Sequence, residues 1–199
     1  MALLGNLKHG LLFILSAPAG TGKTTLINML NQEFPCIVPS LSSTTRQPRG
    51  EEINGVDYNF ITKEEFLSRI EAGEFLEYVQ LYGNYYGTSR VWVERRLDEG
   101  KHVVLVIDTQ GAMLLAGKVN AIKIFVAPPS LEELERRLQL RKTETQEVIE
   151  QRLAWAKKEL LAQQKYDYVV INDDLSMAYQ ILRSIFVAEE HRIRYTARG

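Results

Sequence analysis

The sequence predicts an α/β protein, a parallel β-sheet with helices on its faces. Three observations carry that expectation. Short β-branched apolar runs recur along the chain with helical segments between them, the mark of βαβ units. The first run leads through a loop of small residues into a helix, as a phosphate-binding turn requires. Residues 40–90 break the alternation and read as a mixed insertion, mostly β with one helix.

The elements follow in order. "LLFILS" (11–16) is an apolar run closed by a turn signal, hence a buried strand. "KTTLINMLNQEF" (23–34) is a helix. Inside the insertion, "TKEE" (62–65) caps a helix that Gly73 ends. "HVVLVID" (102–108), "AIKIFVA" (121–127) and "YDYVVI" (166–171) are further strands. "SLEE" (130–133) is a capping box that opens a helix to about Leu140. Residues 144–164 carry Val148, Ile149, Leu153, Ala156 and Leu160 at helical spacing. At 141–148 charge is dense and apolar residues are few, which reads as a second, short insertion. The expected division is a core of 1–39, 91–140 and 149–199, an insert of 40–90 and a lid of 141–148. Two inserts imply parts that close over ligands. "EEHRIRYTAR" (189–198) reads as a solvated helical end.

Of the 199 residues, 45% are hydrophobic and 25% charged, enough to bury a sizeable core. A formal net charge of -1 argues against a protein that coats nucleic acid. Cys36 stands alone, so no intrachain disulfide forms, and it reads as a small apolar residue. Lys8 and His9 ahead of "LLFIL" imitate a signal peptide, but the apolar run is too short for one. No segment approaches the ~18 apolar residues of a membrane span. The expectation is a cytoplasmic protein, a monomer or weak homodimer, with no nucleic-acid or membrane partner.

"SAPAGTGKTTL" (16–26) nearly spells the phosphate-loop pattern G-x-x-x-x-G-K-[ST], with Ala17 where the first glycine stands. The stretch Ala17, Pro18, Ala19, Gly20, Thr21 and Gly22 turns backbone N–H groups inward onto phosphate oxygens. Lys23 reaches the β and γ phosphates, and Thr24 offers its hydroxyl to Mg²⁺. Thr24 and Thr25 begin the helix, whose N-terminus adds partial positive charge. Ala17 fits if its φ is negative and costs roughly 1 kcal/mol if it is positive. The loop alone names no substrate, because ATPases, GTPases and small-molecule kinases share it.

The insertion holds a second constellation. Ser42, Arg46, Arg49 and Tyr58 fall close together, and two arginines three apart beside hydroxyls form an anion clamp. Glu77, Tyr82, Tyr85, Tyr86 and Thr88 follow in "LEYVQLYGNYYGTSR" (76–90). Paired tyrosines are more often packing than ligand contacts, but beside Gly83 and Gly87 one of Tyr85 and Tyr86 has room to face a ligand.

"SSTTRQPRGEEINGVDYNF", "EFLEY", "GNYYGTS", "IDTQG", "APPS" and "INDDL" follow the loop in this order. From about residue 10 to about 190 the chain thereby resembles guanylate kinases, enzymes that transfer phosphate from ATP to GMP. The resemblance implies a P-loop NTPase/nucleoside monophosphate kinase fold with a parallel core, a mixed GMP-binding insert and a small lid. It implies ATP on residues 17–25 with Asn172 near the adenine, Mg²⁺ as cofactor, and dGMP as a second acceptor. It implies that Arg46, Arg49, Tyr58 and Tyr86 hold the GMP phosphate, and that Ser42, Glu77, Thr88 and Asp108 read guanine. Guanine presents adjacent N1–H and N2–H₂ donors, which a carboxylate such as Glu77 accepts. Adenine presents a lone pair at N1, which a carboxylate repels. Arg137, Arg141 and Arg152 fall on the family's lid arginines, which grip the ATP phosphates and the transferring group, while Arg136 faces solvent. In this reading Lys23, Arg46, Arg137, Arg141 and Arg152 are the catalytic set, and Ala17 is a family variant.

Two positions depart from the family. Val106 replaces the first aspartate of D-I-D, which leaves Mg²⁺ to Thr24, phosphates and water. Lys142 replaces the lid glycine. Two rivals are weaker. Scaffold domains that resemble the enzyme but bind peptides lack an intact phosphate loop, whereas Lys23 and Thr24 are kept. Kinases of other small acceptors are disfavoured by Glu77 and the two-arginine clamp.

Overall fold

The computed structural model describes residues 2–81, 83–140 and 146–193. Tyr82, Arg141, Lys142, most of the expected lid and residues 194–199 lie outside them. In chain order the elements are β1 (Leu12–Ser16), α1 (Lys23–Glu33), β2 (Ile37–Pro39), β3 (Ser42–Thr44), β4 (Asn59–Phe60), α2 (Lys63–Glu71), β5 (Phe75–Leu81), β6 (Asn84–Ser89), α3 (Arg90–Asp98), β7 (His102–Val106), α4 (Thr109–Leu115), β8 (Ala121–Ala127), α5 (Leu131–Leu140), α6 (Gln146–Ala162), β9 (Tyr168–Ile171) and α7 (Leu175–Glu190).

The expected parallel sheet runs β2-β7-β1-β8-β9, every pairing parallel, with β1 in the middle. Both faces are covered, so β1 is apolar up to its last residue, Ser16, and its apolar side chains alternate between two cores. Phe13 and Leu15 pack with Leu26, Ile27 and Leu30 of α1 and Leu182 and Phe186 of α7. Leu12 and Ile14 pack with Val93 of α3 and Ala112 and Leu115 of α4. Each such side chain taken fully out of water contributes about 1.5–3 kcal/mol.

The insertion folds as its own mixed sheet, β4-β3-β6-β5, with α2 against it. Thr62 caps α2 by accepting from the Glu65 amide, and Gly73 turns the chain out at φ 68°. Phe66 of α2 is fully buried and stacks on Phe75 and Tyr85, with ring centres 4.4 and 5.3 Å away. The two phenylalanine rings come so near the β6 backbone that a Cβ on Gly87 would sit 2.9 Å from each.

Three local expectations are refined. The run 102–108 stays a strand only to Val106; Asp108 instead caps α4, a short helix the sequence reading did not place. The "SLEE" box is half made: Ser130 accepts from the Glu133 amide, but Glu133 turns its carboxylate to Arg136 and Arg137. On α6, Val148 lies outside the buried stripe, while Glu159 lies within it beside Ile149 and Ala156.

The end of the sheet away from the phosphate loop is tied by a buried polar knot. His102 is fully buried; its Nδ1 accepts from the Leu11 amide at 3.0 Å, so its proton sits on Nε2 and is donated to Glu190, 2.5 Å away. Glu190 also accepts from the amides of Gly5 and Asn6 and from the Asn6 side chain. Burial pushes its pKa up, but the four donors outweigh that and hold it at about 2. A depressed carboxylate pKa gives stability that is present above the ordinary value near 4.5 and lost as pH falls toward 2. Glu190→Ala should therefore lower stability by about 2–4 kcal/mol at neutral pH. In urea titrations the deficit should shrink between pH 4.5 and 2.

Candidate active site

β1 delivers the chain into the phosphate loop at the centre of the sheet. Ala17 is buried, its methyl part of the α1-side core. Thr21 folds back onto Pro18, whose carbonyl accepts from both its amide and its hydroxyl. The loop's left-handed positions are Gly20 and Gly22, at φ 94° and 85°. Gly20 lies against Leu134 and Leu138 of α5. Gly22 lies against Asn172, whose side-chain amide donates to the Thr21 carbonyl at 2.6 Å. α1 then begins with no side-chain cap and no acidic residue in its first turn. Its first N–H groups are thus open to an anion. Thr24 and Thr25 are exposed there. Burial lowers the pKa of Lys23, and the charges of Glu159 and Asp108 oppose that shift.

Across the cleft, strand register builds a second group. Ser42 pairs with Thr88 across β3 and β6, and Thr88 pairs with Glu77 across β6 and β5. The three therefore stand in one row, on one face of the mixed sheet. Thr88 donates its hydroxyl proton to Glu77 at 2.7 Å. Glu77 is 6% exposed, and burial raises its pKa to about 7, with the Thr88 bond opposing and the Asp108 charge adding to the rise. Asp108 approaches from the β7–α4 turn: a Cβ on Gly111 would lie 3.0 Å from Glu77 Oε2 and 3.3 Å from Asp108 Oδ1. Asp108 Oδ1 accepts from the Gly111 amide, while its buried Oδ2 has no hydrogen-bond partner. Such an orphan is an acceptor waiting for a donor. A cavity of about 170 Å³ is lined by Lys23, Ser42, Tyr58, Glu77, Tyr86 and Asp108 among others.

Arg46 stands behind the tyrosines at the insert's end and lines neither this cavity nor the one beside Thr24. It is 9% exposed and lies over the rings of Tyr58 and Phe60, at 5.2 and 5.7 Å. Tyr86 turns toward Tyr58, while Tyr85 packs on Phe66, so the tyrosine pair divides between cavity and core. Arg49 is exposed and lines neither this cavity nor the one beside Thr24.

The remaining predicted residues are less directly placed. Arg137 is held away from the cavity by Glu133 and by the carbonyls of Asn172 and Asp173. Arg152 is half-buried on α6, on the face that carries Ala156 and Glu159. Asn172 is buried and braces the loop rather than facing an open base site. Arg141 lies outside the described residues. Val106 lines the wall between Lys23 and Thr24. Sequence reasoning missed Glu159, a buried carboxyl near Lys23 whose pKa burial raises to about 7. The available signal was an acid in phase with an apolar stripe. It also missed Glu52, which grips Arg46.

Comparison with known proteins follows the same outline. The family model for guanylate kinase matches residues 10–189. The guanylate kinase of Protochlamydia amoebophila is 61% identical over 193 residues, covering 97% of this chain and 98% of that one. That of Chlamydia felis is 52% identical, covering 91% and 89%. The crystal structure of guanylate kinase from Anaplasma phagocytophilum superposes with a TM-score of 0.75 at 34% identity, covering 96% of this chain and 90% of that one.

The loop geometry carries a stability prediction. A Cβ on Gly22 would lie 2.6 Å from Asn172 Nδ2 in a left-handed backbone. Gly22→Ala should cost about 1 kcal/mol for the backbone and more for displacing Asn172. In thermal unfolding, Gly22→Ala introduced into Asn172→Ala should cost less than in the parent, a non-additivity that strictly independent sites would not show.

Proposed function

The chain belongs to the guanylate kinase family and phosphorylates GMP with ATP as donor, and from that premise we propose how its residues divide the work. The observation that carries the reading is a single cavity lined by the phosphate-loop lysine, by the buried carboxyl of Glu77 and by the half-buried Asp108.

Residues 17–25 cradle the ATP phosphates, with Lys23 on the β and γ groups and Asn172 acting through the loop it braces. Glu77 accepts from N1–H and N2–H₂ of guanine, with its other face fixed by Thr88. Ser42 stands at the end of the same row, and Asp108 Oδ2 supplies a second acceptor. AMP offers no such donors, and a site built on buried hydrogen-bonding groups rejects a mismatched analogue by roughly 10⁴-fold or more. Arg46, Arg49, Tyr58 and Tyr86 hold the GMP phosphate. dGMP, which keeps the same base and phosphate, is a second acceptor in this reading. A cytoplasmic location, and a monomer or weak homodimer without nucleic-acid or membrane partners, complete it; no helix among the described residues is long and apolar enough to cross a membrane.

The residues around Thr24 fit Mg²⁺. The Thr24 hydroxyl is exposed at the start of α1, and no cluster of three or more acidic, histidine or cysteine side chains forms a protein cage among the described residues. An octahedral ion held mainly by phosphate oxygens and water suits that donor set. Bound there with ATP, it would neutralise phosphate charge.

In the transfer, an oxygen of the GMP phosphate attacks the γ-phosphorus in line. The bond from that phosphorus to the β–γ bridging oxygen breaks, and ADP leaves with the electron pair. No covalent enzyme intermediate is needed. Lys23 and Arg46 align the two phosphates, and Arg137, Arg141 and Arg152 stabilise the charge that spreads over the transferring group. To do so, Arg137 exchanges Glu133 and the two carbonyls for phosphate oxygens as the cleft closes and water leaves.

Glu77 tests the assignment. Glu77→Gln should lower kcat/KM for GMP on the order of 10³-fold while KM for ATP is unchanged. Equal loss for both substrates would contradict the assignment. Only the ionised carboxylate accepts from both guanine donors, so its pKa near 7 sets a pH dependence. Guanosine, which has no titrating phosphate, should bind about tenfold more weakly for each unit that pH falls below 7. In Glu77→Gln that slope should vanish.

A further inference from the structure

Among the described residues Glu52 is the one carboxylate paired with Arg46, and its geometry is selective. Its two oxygens accept from NH1 at 2.8 Å and NH2 at 2.9 Å, a two-pronged grip on the end of the guanidinium. The other NH1 hydrogen goes to the Gln47 carbonyl at 2.8 Å. The Arg49 amide donates to Glu52 Oε2, and the Glu52 amide donates to the Arg49 carbonyl, so the 46–52 loop closes on itself around this carboxylate. The pair is three-quarters or more buried on both sides.

A guanidinium has five N–H donors in a rigid fork. Three are used by Glu52 and Gln47. The remaining two, on Nε and Nη2, form the second two-pronged edge of the same plane, which neither Glu52 nor Gln47 uses; the phenols of Tyr58 and Tyr86 also hydrogen-bond the guanidinium. Tyr58 and Tyr86 lie beside Arg46, close enough for their phenols to act on its charge. Glu52 therefore leaves open the edge that matches two oxygens of a phosphate.

We propose that Glu52 is a positioning residue for the acceptor's phosphate: by gripping the NH1–NH2 edge of Arg46 it presents the Nε–NH2 edge to GMP. Glu52 does not occupy the phosphate's place, and GMP binds without expelling it. This rests on Arg46 being the phosphate clamp, as proposed above.

The test compares GMP with guanosine, which shares the base and lacks the phosphate, by calorimetric binding at about pH 8, where Glu77 is ionised. In the parent protein GMP should bind more tightly than guanosine, and Arg46→Ala should erase that margin; if it does not, the phosphate clamp itself is wrongly assigned. Given the margin, Glu52→Gln should weaken GMP about tenfold, leave guanosine and ATP unchanged, and act on KM for GMP more than on kcat. Unchanged or tighter GMP binding in Glu52→Gln would overturn the inference, the second result marking Glu52 as a displaced stand-in. Equal weakening of GMP and guanosine would overturn it too, because it would show that Glu52 only holds the loop. Thermal unfolding of each variant confirms that the binding was measured on folded protein.

Discussion

A tight loop that leaves uncapped amides at the carboxyl end of the central strand is the constraint on which the rest of the structure depends. β1 is covered on both faces, so its end is fixed by two cores at once. The chain then turns through two left-handed glycines into a helix whose first amides have no side-chain cap. Those amides satisfy themselves only on a ligand or water. Asn172, just past the end of β9, and the leucines of α5 press on the loop from behind and fix its curvature. The loop is therefore formed before a nucleotide arrives.

Against that fixed half, the insert contributes chemistry by register. Ser42, Thr88 and Glu77 are far apart in sequence and adjacent only because β3, β6 and β5 pair as they do. A slip of one residue would turn the row to the opposite face. Phe66, Phe75 and Tyr85 on the insert's own small core guard against such a slip. The stacking thus holds the proposed base-reading row in register as well as adding stability. Burial raises Glu77 toward neutrality, which leaves a carboxyl that binding can draw into its ionised form.

The α/β class, the parallel core and the interruption at 40–90 were legible because strand and helix periods differ and the insert breaks their alternation. The phosphate loop was legible because its residues are contiguous. The row of Ser42, Thr88 and Glu77 was not legible from the residues alone: Ser42 stood beside the arginine clamp and Glu77 beside the tyrosines, their guanine-reading role came through family resemblance, and the register that joins them is a tertiary fact. Asp108 was read at the end of a strand, whereas the strand stops at Val106 and Asp108 divides its carboxyl between a helix cap and the cavity. Glu159 and Glu52 escaped notice because one acid on an apolar stripe or in a charged loop looks like an ordinary surface residue. The His102–Glu190 knot joins residues 88 positions apart and left no local trace.

The account stands or falls on the choice of base. The most direct measurement is ADP release with ATP and Mg²⁺, comparing kcat/KM for GMP and AMP on the unmodified protein. A preference for GMP of about 10⁴-fold or more is the expected result, since a buried carboxylate placed as proposed for Glu77 accepts guanine's donors and repels the adenine N1 lone pair. Comparable turnover of the two would contradict the account, because the row of Ser42, Thr88 and Glu77 would then not be what reads the substrate.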